Sequence, residues 1–179
     1  MPSPTRYDAV AMSLHWLMAL VIIGLWSLGL ILEELPKGDF RNEMKALHAS
    51  IGALVLGLTV LRLGWRLTKP VPELPQAMVG LERLMAGAAH VGLYVLMVAL
   101  PLSGIAIVET GGRALNVFGF QVLPALMAKD EGLHDLAEDG HGLLAWILAA
   151  IVIGHVLAAL RHHVLLKDDV LTRMLPGGK

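Results

Sequence analysis

Four long stretches of the chain are almost continuously apolar, and polar residues crowd into the gaps between them. The stretches run over residues 10–32, 46–65, 84–108 and 140–164. Each reaches the ~20 residues needed to cross ~30 Å of hydrocarbon. A segment inside lipid must satisfy its own backbone polar groups, so stretches of this length predict helices and not strands. The pattern therefore predicts an all-α integral membrane four-helix bundle, a single domain over 1–179. The first stretch is too long for a signal-peptide core and lacks a small-residue cleavage site, so it reads as a retained helix.

The gaps differ in character. Residues 33–45 form a short polar connection containing Pro36. Residues 66–83 carry Pro70, Pro72 and Pro75, which predicts a largely extended path. Residues 109–139 form a long acidic connection. Its apolar piece, 115–127, holds Phe118, Phe120 and Pro124. That piece is too short to span, and it is expected to lie on the membrane surface or to cap the bundle. The tail from Lys167 is short and mixed in charge.

Composition agrees with lipid as solvent. The chain is 56% hydrophobic and only 16% charged, with a mean hydropathy of +0.67. An average soluble domain is about 45–50% apolar and about 25% charged. The net charge of −1 and the lack of a basic run give no reason to expect nucleic acid. Lys and Arg are biased toward one side. With both termini inside, the inside carries Arg6, Arg62, Arg66, Lys69, Arg83, Arg161, Lys167, Arg173 and Lys179. The outside carries Lys37, Arg41, Lys45, Arg113 and Lys129, together with ten of the fifteen acids. For a chain of bacterial source, the positive-inside rule then predicts a multi-pass inner-membrane protein with cytoplasmic termini.

Cysteine is absent. That excludes disulfides, zinc–thiolate sites, iron–sulfur clusters and covalent c-type haem attachment. Histidine remains, with eight residues, and ionisable groups inside lipid are costly enough to suggest function. His141 and His155 share the fourth stretch. Their spacing corresponds to about 21 Å along a helix and to faces within about 40° of each other. Two imidazoles thus point the same way, one near each side of the membrane, as two stacked haems would require. His48 lies at the depth of His141, near the outside, and His15 at the depth of His155, near the inside. The depth match pairs His48 with His141 and His15 with His155. His90 lies toward the inside as well, as a rival ligand, a quinone contact or a packing residue. Bis-imidazole ligation fills both axial positions and suits electron transfer. Gly52, Gly142 and Gly154 near these histidines would let a flat macrocycle approach, although small residues equally serve helix packing.

His162 follows His155 by two turns, on nearly the same face and about 10 Å closer to the cytoplasm. It could donate to a quinone carbonyl and move a proton, or join Arg161 and His163 in meeting lipid headgroups. His134 reads as a solvated residue of the acidic connection. Trp16 and Trp65 read as interfacial anchors. Buried haem propionates need cations. Arg6, Arg66 and Arg161 are inner candidates, and Arg41, Lys45 and Arg113 outer ones.

Several ordered pieces of the sequence resemble the bacterial cytochrome b561 family. They are Ser13-Leu14-His15-Trp16, Leu47-His48-Ala49-Ser50-Ile51-Gly52 with Val60-Leu61-Arg62, and Ala89-His90-Val91-Gly92-Leu93-Tyr94 with Leu100-Pro101. Val117-Phe118-Gly119 and Arg161-His162-His163 with Lys167-Asp168-Asp169 and Arg173-Met174 complete the set. The resemblance implies a cytoplasmic-membrane cytochrome with two non-covalent b haems on His15, His48, His141 and His155, and quinone near His90 and His162. Related members oxidise superoxide at the periplasmic face and pass the electron to ubiquinone, while others carry electrons for a periplasmic or membrane partner. The sequence thus predicts a quinone-linked oxidoreductase or an electron carrier. The ten outer acids argue against an anionic donor such as superoxide, and a local patch of Arg41, Lys45 and Arg113 would argue for it. A haem-free transporter is the third reading. Against it stand the lack of acids within the helices and of a His-Glu-x-x-His motif.

Overall fold

The computed structural model describes residues 4–75 and 78–177. Lys179, counted above among the inside cations, lies outside the described residues. Four helices carry the fold: α1 Ala9–Glu34, α2 Asp39–Thr68, α3 Gly80–Thr110 and α4 Glu131–Arg161. All four are long and apolar enough to cross a membrane. Helix α1 packs on α2, α2 on α3, and α3 on α4.

Local chemistry explains the helix ends. Asp8 caps α1, its Oδ1 accepting from the backbone N–H groups of Val10 and Ala11 at 2.9 and 3.0 Å. The helix stops at Leu35, extended because Pro36 follows. Asp130 caps α4 by accepting from Leu133 N. Lys69 is extended before Pro70, and that ends α2. Two helices start well before the apolar stretches do. Helix α2 begins at Asp39 and α4 at Glu131, because nothing in 39–45 or 131–139 breaks a helix and an acid in the first turn favours its dipole. The acidic connection is therefore shorter than the sequence suggested, and its acids Glu131, Asp135, Glu138 and Asp139 are helical.

Between α3 and α4 the apolar piece forms a small antiparallel hairpin, β1 Leu115–Val117 and β2 Phe120–Leu123. Its two turn residues, Phe118 and Gly119, have φ of 50° and 86°, as a tight primed turn requires. Phe118 donates its N–H to Ser50 Oγ at 3.0 Å, fixing the hairpin to α2. The hairpin caps one end of the bundle, hereafter the hairpin pole. The first and last described segments, before α1 and after α4, lie at the other end, the terminal pole. There the tail folds back beneath the helices. Trp16 Nε1 donates to Met174 O at 2.7 Å and Tyr7 N to Arg173 O at 3.3 Å.

Few side chains are buried. Met18, Val55, Leu96, Met97 and Leu148 form a thin core. Large apolar side chains such as Leu20 (70% exposed) and Leu84 (67%) face outward. In water such a surface would drive aggregation, so lipid is its solvent, and the chain is a multi-pass membrane protein.

Candidate functional site

The structure brings the histidines of the spans together in two groups. At the hairpin pole, His48 of α2 faces His141 of α4 with ring centres 6.1 Å apart and planes at 70°. At the terminal pole, His15 of α1 faces His155 of α4 at 6.2 Å and 68°. His90 of α3 lies on His155 as well, at 5.5 Å. An iron held about 2 Å from each of two opposed imidazole nitrogens, with each ring centre roughly 1 Å further out, spaces the rings by about 6 Å. Both pairs have that spacing. Among the described residues no three His, Asp or Glu side chains are grouped to hold a bare metal ion. Two opposed imidazoles fit a metal whose remaining ligands come from its own macrocycle.

The hairpin-pole pair lines a cavity of about 800 Å³, with Arg41, Lys45 and Arg113 among its walls. Glycines keep space around the rings. A Cβ added at Gly29 would stand 3.6 Å from His48 Cε1, and one at Gly104 would stand 3.6 Å from His141 Cε1. These two come from α1 and α3, so their place beside the rings was invisible in the sequence. Gly52 and Gly142 also line the cavity, and Gly154 does not. Trp26 and Trp146 close it edge to face between α1 and α4, at 5.3 Å.

Hydrogen bonds set the ring tautomer on one side of the pair. The hydroxyl of Ser103 donates to Leu100 O at 2.8 Å, so its lone pair faces His141 Nδ1, also at 2.8 Å. His141 Nδ1 therefore carries the hydrogen, and Nε2 is left as a bare donor for a metal. His48 Nδ1 is buried and has no partner among the described residues.

At the terminal pole Arg62 of α2 is the cation beside the histidines. Its Nη2 lies 3.3 Å from His15 Nδ1, and its Nη1 donates to Ala11 O at 3.1 Å. Arg62 was absent from the expected propionate partners. Two that were expected are engaged elsewhere: Arg6 donates to Leu175 O at 2.6 Å, and Arg161 pairs with Glu82. The signal for Arg62 was its place inside the second apolar stretch, three residues before its end, while most cations lie outside the stretches.

Two histidines depart from expectation. His134 is not a solvated loop residue. It lies in the first turn of α4, and its Nδ1 donates to Ile107 O at 3.0 Å, tying α4 to the end of α3. The unexpected early start of α4 carries it there. His162 does not meet headgroups. It is 5% exposed, with Asp168 on Nδ1, while His163 is exposed. The tail's return buries it. Trp16 and Trp65 sit at the pole, and both indoles are bonded inside the protein, Trp65 to Asp8 at 3.0 Å.

A model of the family described as Prokaryotic cytochrome b561 matches residues 6–177. The chain belongs to the prokaryotic cytochrome b561 family. It is 36% identical over 174 residues to Cytochrome b561 homolog 2 of Escherichia coli, covering 97% of this chain and 93% of that one. It is 34% identical over 177 residues to Probable superoxide oxidase CybB of Yersinia pestis, with 96% of each covered. Cytochrome b562 of Cereibacter sphaeroides is 28% identical over 174 residues, with 94% of each covered. Membership of this family makes the chain a membrane cytochrome with b-type haem in electron transport, and sets aside the haem-free transporter.

Proposed function

We propose that the chain holds two b haems, one between His48 and His141 and one between His15 and His155, and passes electrons from a periplasmic donor to membrane quinone. The observation that carries the proposal is the pair of ring separations, 6.1 and 6.2 Å, at opposite ends of one bundle. Each haem, held by its two histidines, would supply a one-electron store. His141 offers its bare Nε2, held by Ser103. His15 offers the same atom once Arg62 releases Nδ1, and a propionate is an acceptor of the right charge for that arginine. Arg41, Lys45 and Arg113 stand ready for the other propionates. The Lys and Arg bias supports an inner membrane with the terminal pole in the cytoplasm. His90 and His162 lie at that pole, where quinone, ubiquinone in the fullest form of this reading, accepts electrons.

Superoxide is the donor this reading favours. In the walls of the hairpin-pole cavity Arg41, Lys45 and Arg113 outnumber Glu33 and Glu138 and would draw an anion, and one relative is named a probable superoxide oxidase. Two superoxide ions would lose one electron each and leave as dioxygen. One quinone would take both electrons with two protons and leave as quinol. A second reading, a carrier that accepts electrons from a periplasmic protein, is favoured by the acidic first turns of α4, with Glu131, Asp135 and Asp139. Association with such a partner would weaken as salt rises.

The test is a pyridine haemochrome assay with a reduced-minus-oxidised spectrum of the purified protein. Two b haems per chain are expected. His141→Ala should empty the hairpin-pole site alone, and His155→Ala the other alone. Retention of both haems in either variant refutes the pairing. Reduction of the haems by superoxide, unaffected by salt-dependent docking partners, separates the two donors.

A further inference from the structure

The four helices do not close into a ring. Among the described residues α1 packs closely on α2 alone, and α4 within the bundle on α3 alone, while α2 and α3 each have two neighbours. The seam between α1 and α4 is bridged by side chains instead. His15 meets His155 at the terminal pole, and Trp26 meets Trp146 further along.

These two tryptophans are misplaced for interfacial anchors. Tryptophan usually marks the membrane–water boundary. Each of these lies six residues inside its apolar stretch, about 9 Å from the end nearer the hairpin pole. They meet edge to face, with ring centres 5.3 Å apart and planes at 87°. Trp146 is 59% exposed, so it lies on the lipid side of the seam. Behind the pair is the cavity of about 800 Å³, and both rings are part of its wall. One turn nearer the hairpin pole, Gly29 on α1 and Gly142 on α4 also line it. A Cβ added at Gly142 would meet nothing within 4 Å, so the seam is thin above the two rings.

The other sides of the cavity are held more firmly. Three of its seams are packed helix on helix. Leu115 and Asn116 of the hairpin roof it. The hairpin is pinned at its tip by Ser50 and past β2 by Glu109, whose Oε2 accepts from Leu126 N at 2.8 Å. Arg41 Nε donates to Leu32 O at 3.0 Å and ties the start of α2 to the end of α1.

Taking haem between His48 and His141 from the proposed function, we propose that the α1–α4 seam is the door through which that haem passes between lipid and cavity, with Trp26 and Trp146 as its latch. Haem is a flat apolar ring with two carboxylates on one edge. In a bilayer the ring lies in hydrocarbon and the carboxylates stay at the interface, because charge is far costlier to bury than apolar surface. The seam has the same profile. Ile22, Leu25, Ala145 and Leu148 line the cavity beside the latch, and Arg41, Lys45 and Arg113 line it at the hairpin pole. Parting α1 from α4 breaks no helix–helix packing. Trp16 is bonded to the tail at the terminal pole, so the two helices part at the hairpin-pole end and leave the His15–His155 pair in place.

The experiment uses the full-length protein with its haem bound, in lipid nanodiscs. Transfer of haem to excess apomyoglobin is followed phase by phase. Trp26→Leu and Trp146→Leu should each speed loss of the hairpin-pole haem roughly three- to tenfold, as loss of one edge-to-face pair predicts. The double variant should be no faster than either single one, because both remove the same contact. Trp146→Phe keeps an aromatic edge and should stay near the parent. The terminal-pole phase should not change. The chain has no cysteine, so Trp26→Cys and Trp146→Cys can be combined and joined by a cleavable thiol cross-linker. The joined protein should retain the hairpin-pole haem, and cleavage should release it. Loss at the parent rate in both leucine variants, or equal loss before and after cleavage, overturns the proposal. Additive acceleration, or acceleration of both phases, assigns the tryptophans to the fold and overturns it too. Acceleration in Ser50→Ala without acceleration in the leucine variants overturns it by moving the path to the hairpin. A parent with no haem at the hairpin pole overturns this proposal together with the reading it rests on.

Discussion

Removing one hydroxyl should loosen one haem and spare the other. Ser103 Oγ is 2.8 Å from His141 Nδ1 and accepts its hydrogen. Ser103→Ala leaves that half-buried N–H without the hydroxyl. A buried donor left unpaired costs about 1–3 kcal/mol. The carbonyl of Leu100 also lies within bonding reach of the ring and takes over part of the role, so the lower end applies, about 1–1.5 kcal/mol. Outer partners of metal-bound histidines matter on a similar scale, about 10–100-fold in affinity. We expect roughly five- to tenfold faster loss of the hairpin-pole haem. The assay is transfer of haem to an excess of apomyoglobin, which resolves one fast and one slow phase if the sites differ. The fast phase should accelerate in Ser103→Ala and recover in Ser103→Thr. Loss at the parent rate would show that His141 is not held through Nδ1, and equal acceleration of both phases would show that Ser103 supports the fold and not the site.

Two further outcomes follow from the packing and the caps. A methyl at Gly104 would make ordinary contact with His141 Cε1 at 3.6 Å, but Gly104→Leu must displace the ring, so bound haem should fall from two per chain to one, with the terminal-pole spectrum intact. Asp8→Ala removes the α1 cap and the bond to Trp65, costing about 1 kcal/mol and lowering Tm at neutral pH. Burial raises the Asp8 carboxyl, but the bonds from Ala11, Trp65 and Val10 and the charge of Lys69 hold it below its ordinary 3.8. A lowered pKa means that the contribution is complete well above pH 3.8 and fades as pH falls through the folded-state value. The Tm gap between parent and variant should therefore shrink in acid, and a gap that persists below that range would assign the loss to packing.

The spans were legible because lipid imposes a length and an apolar composition that can be counted along the chain. The spacing of His141 and His155 was legible for a similar reason: helical geometry turns sequence distance into depth and direction. Alternating helix direction then brought His48 and His15 to matching depths. Helix ends were less legible. Residues 39–45 and 131–139 are polar, and polarity marks where lipid stops, not where a helix stops. The hairpin was missed as an element because its turn depends on Phe118 taking a conformation unfavourable for that residue, held by Ser50 from another helix.

The sequence by itself determined the solvent, the number of spans, the family and the histidines that can meet. Each of these follows from local composition, periodicity or the ordered motifs. Only the tertiary structure decided what stands beside each ring: Ser103 and Gly104 against His141, Gly29 against His48, Arg62 against His15, and Asp168 and Glu82 around His162. These neighbours come from other helices or from the returning tail. Their approach is fixed by how helices rotate and pack against one another, and no pattern along a single segment encodes that rotation.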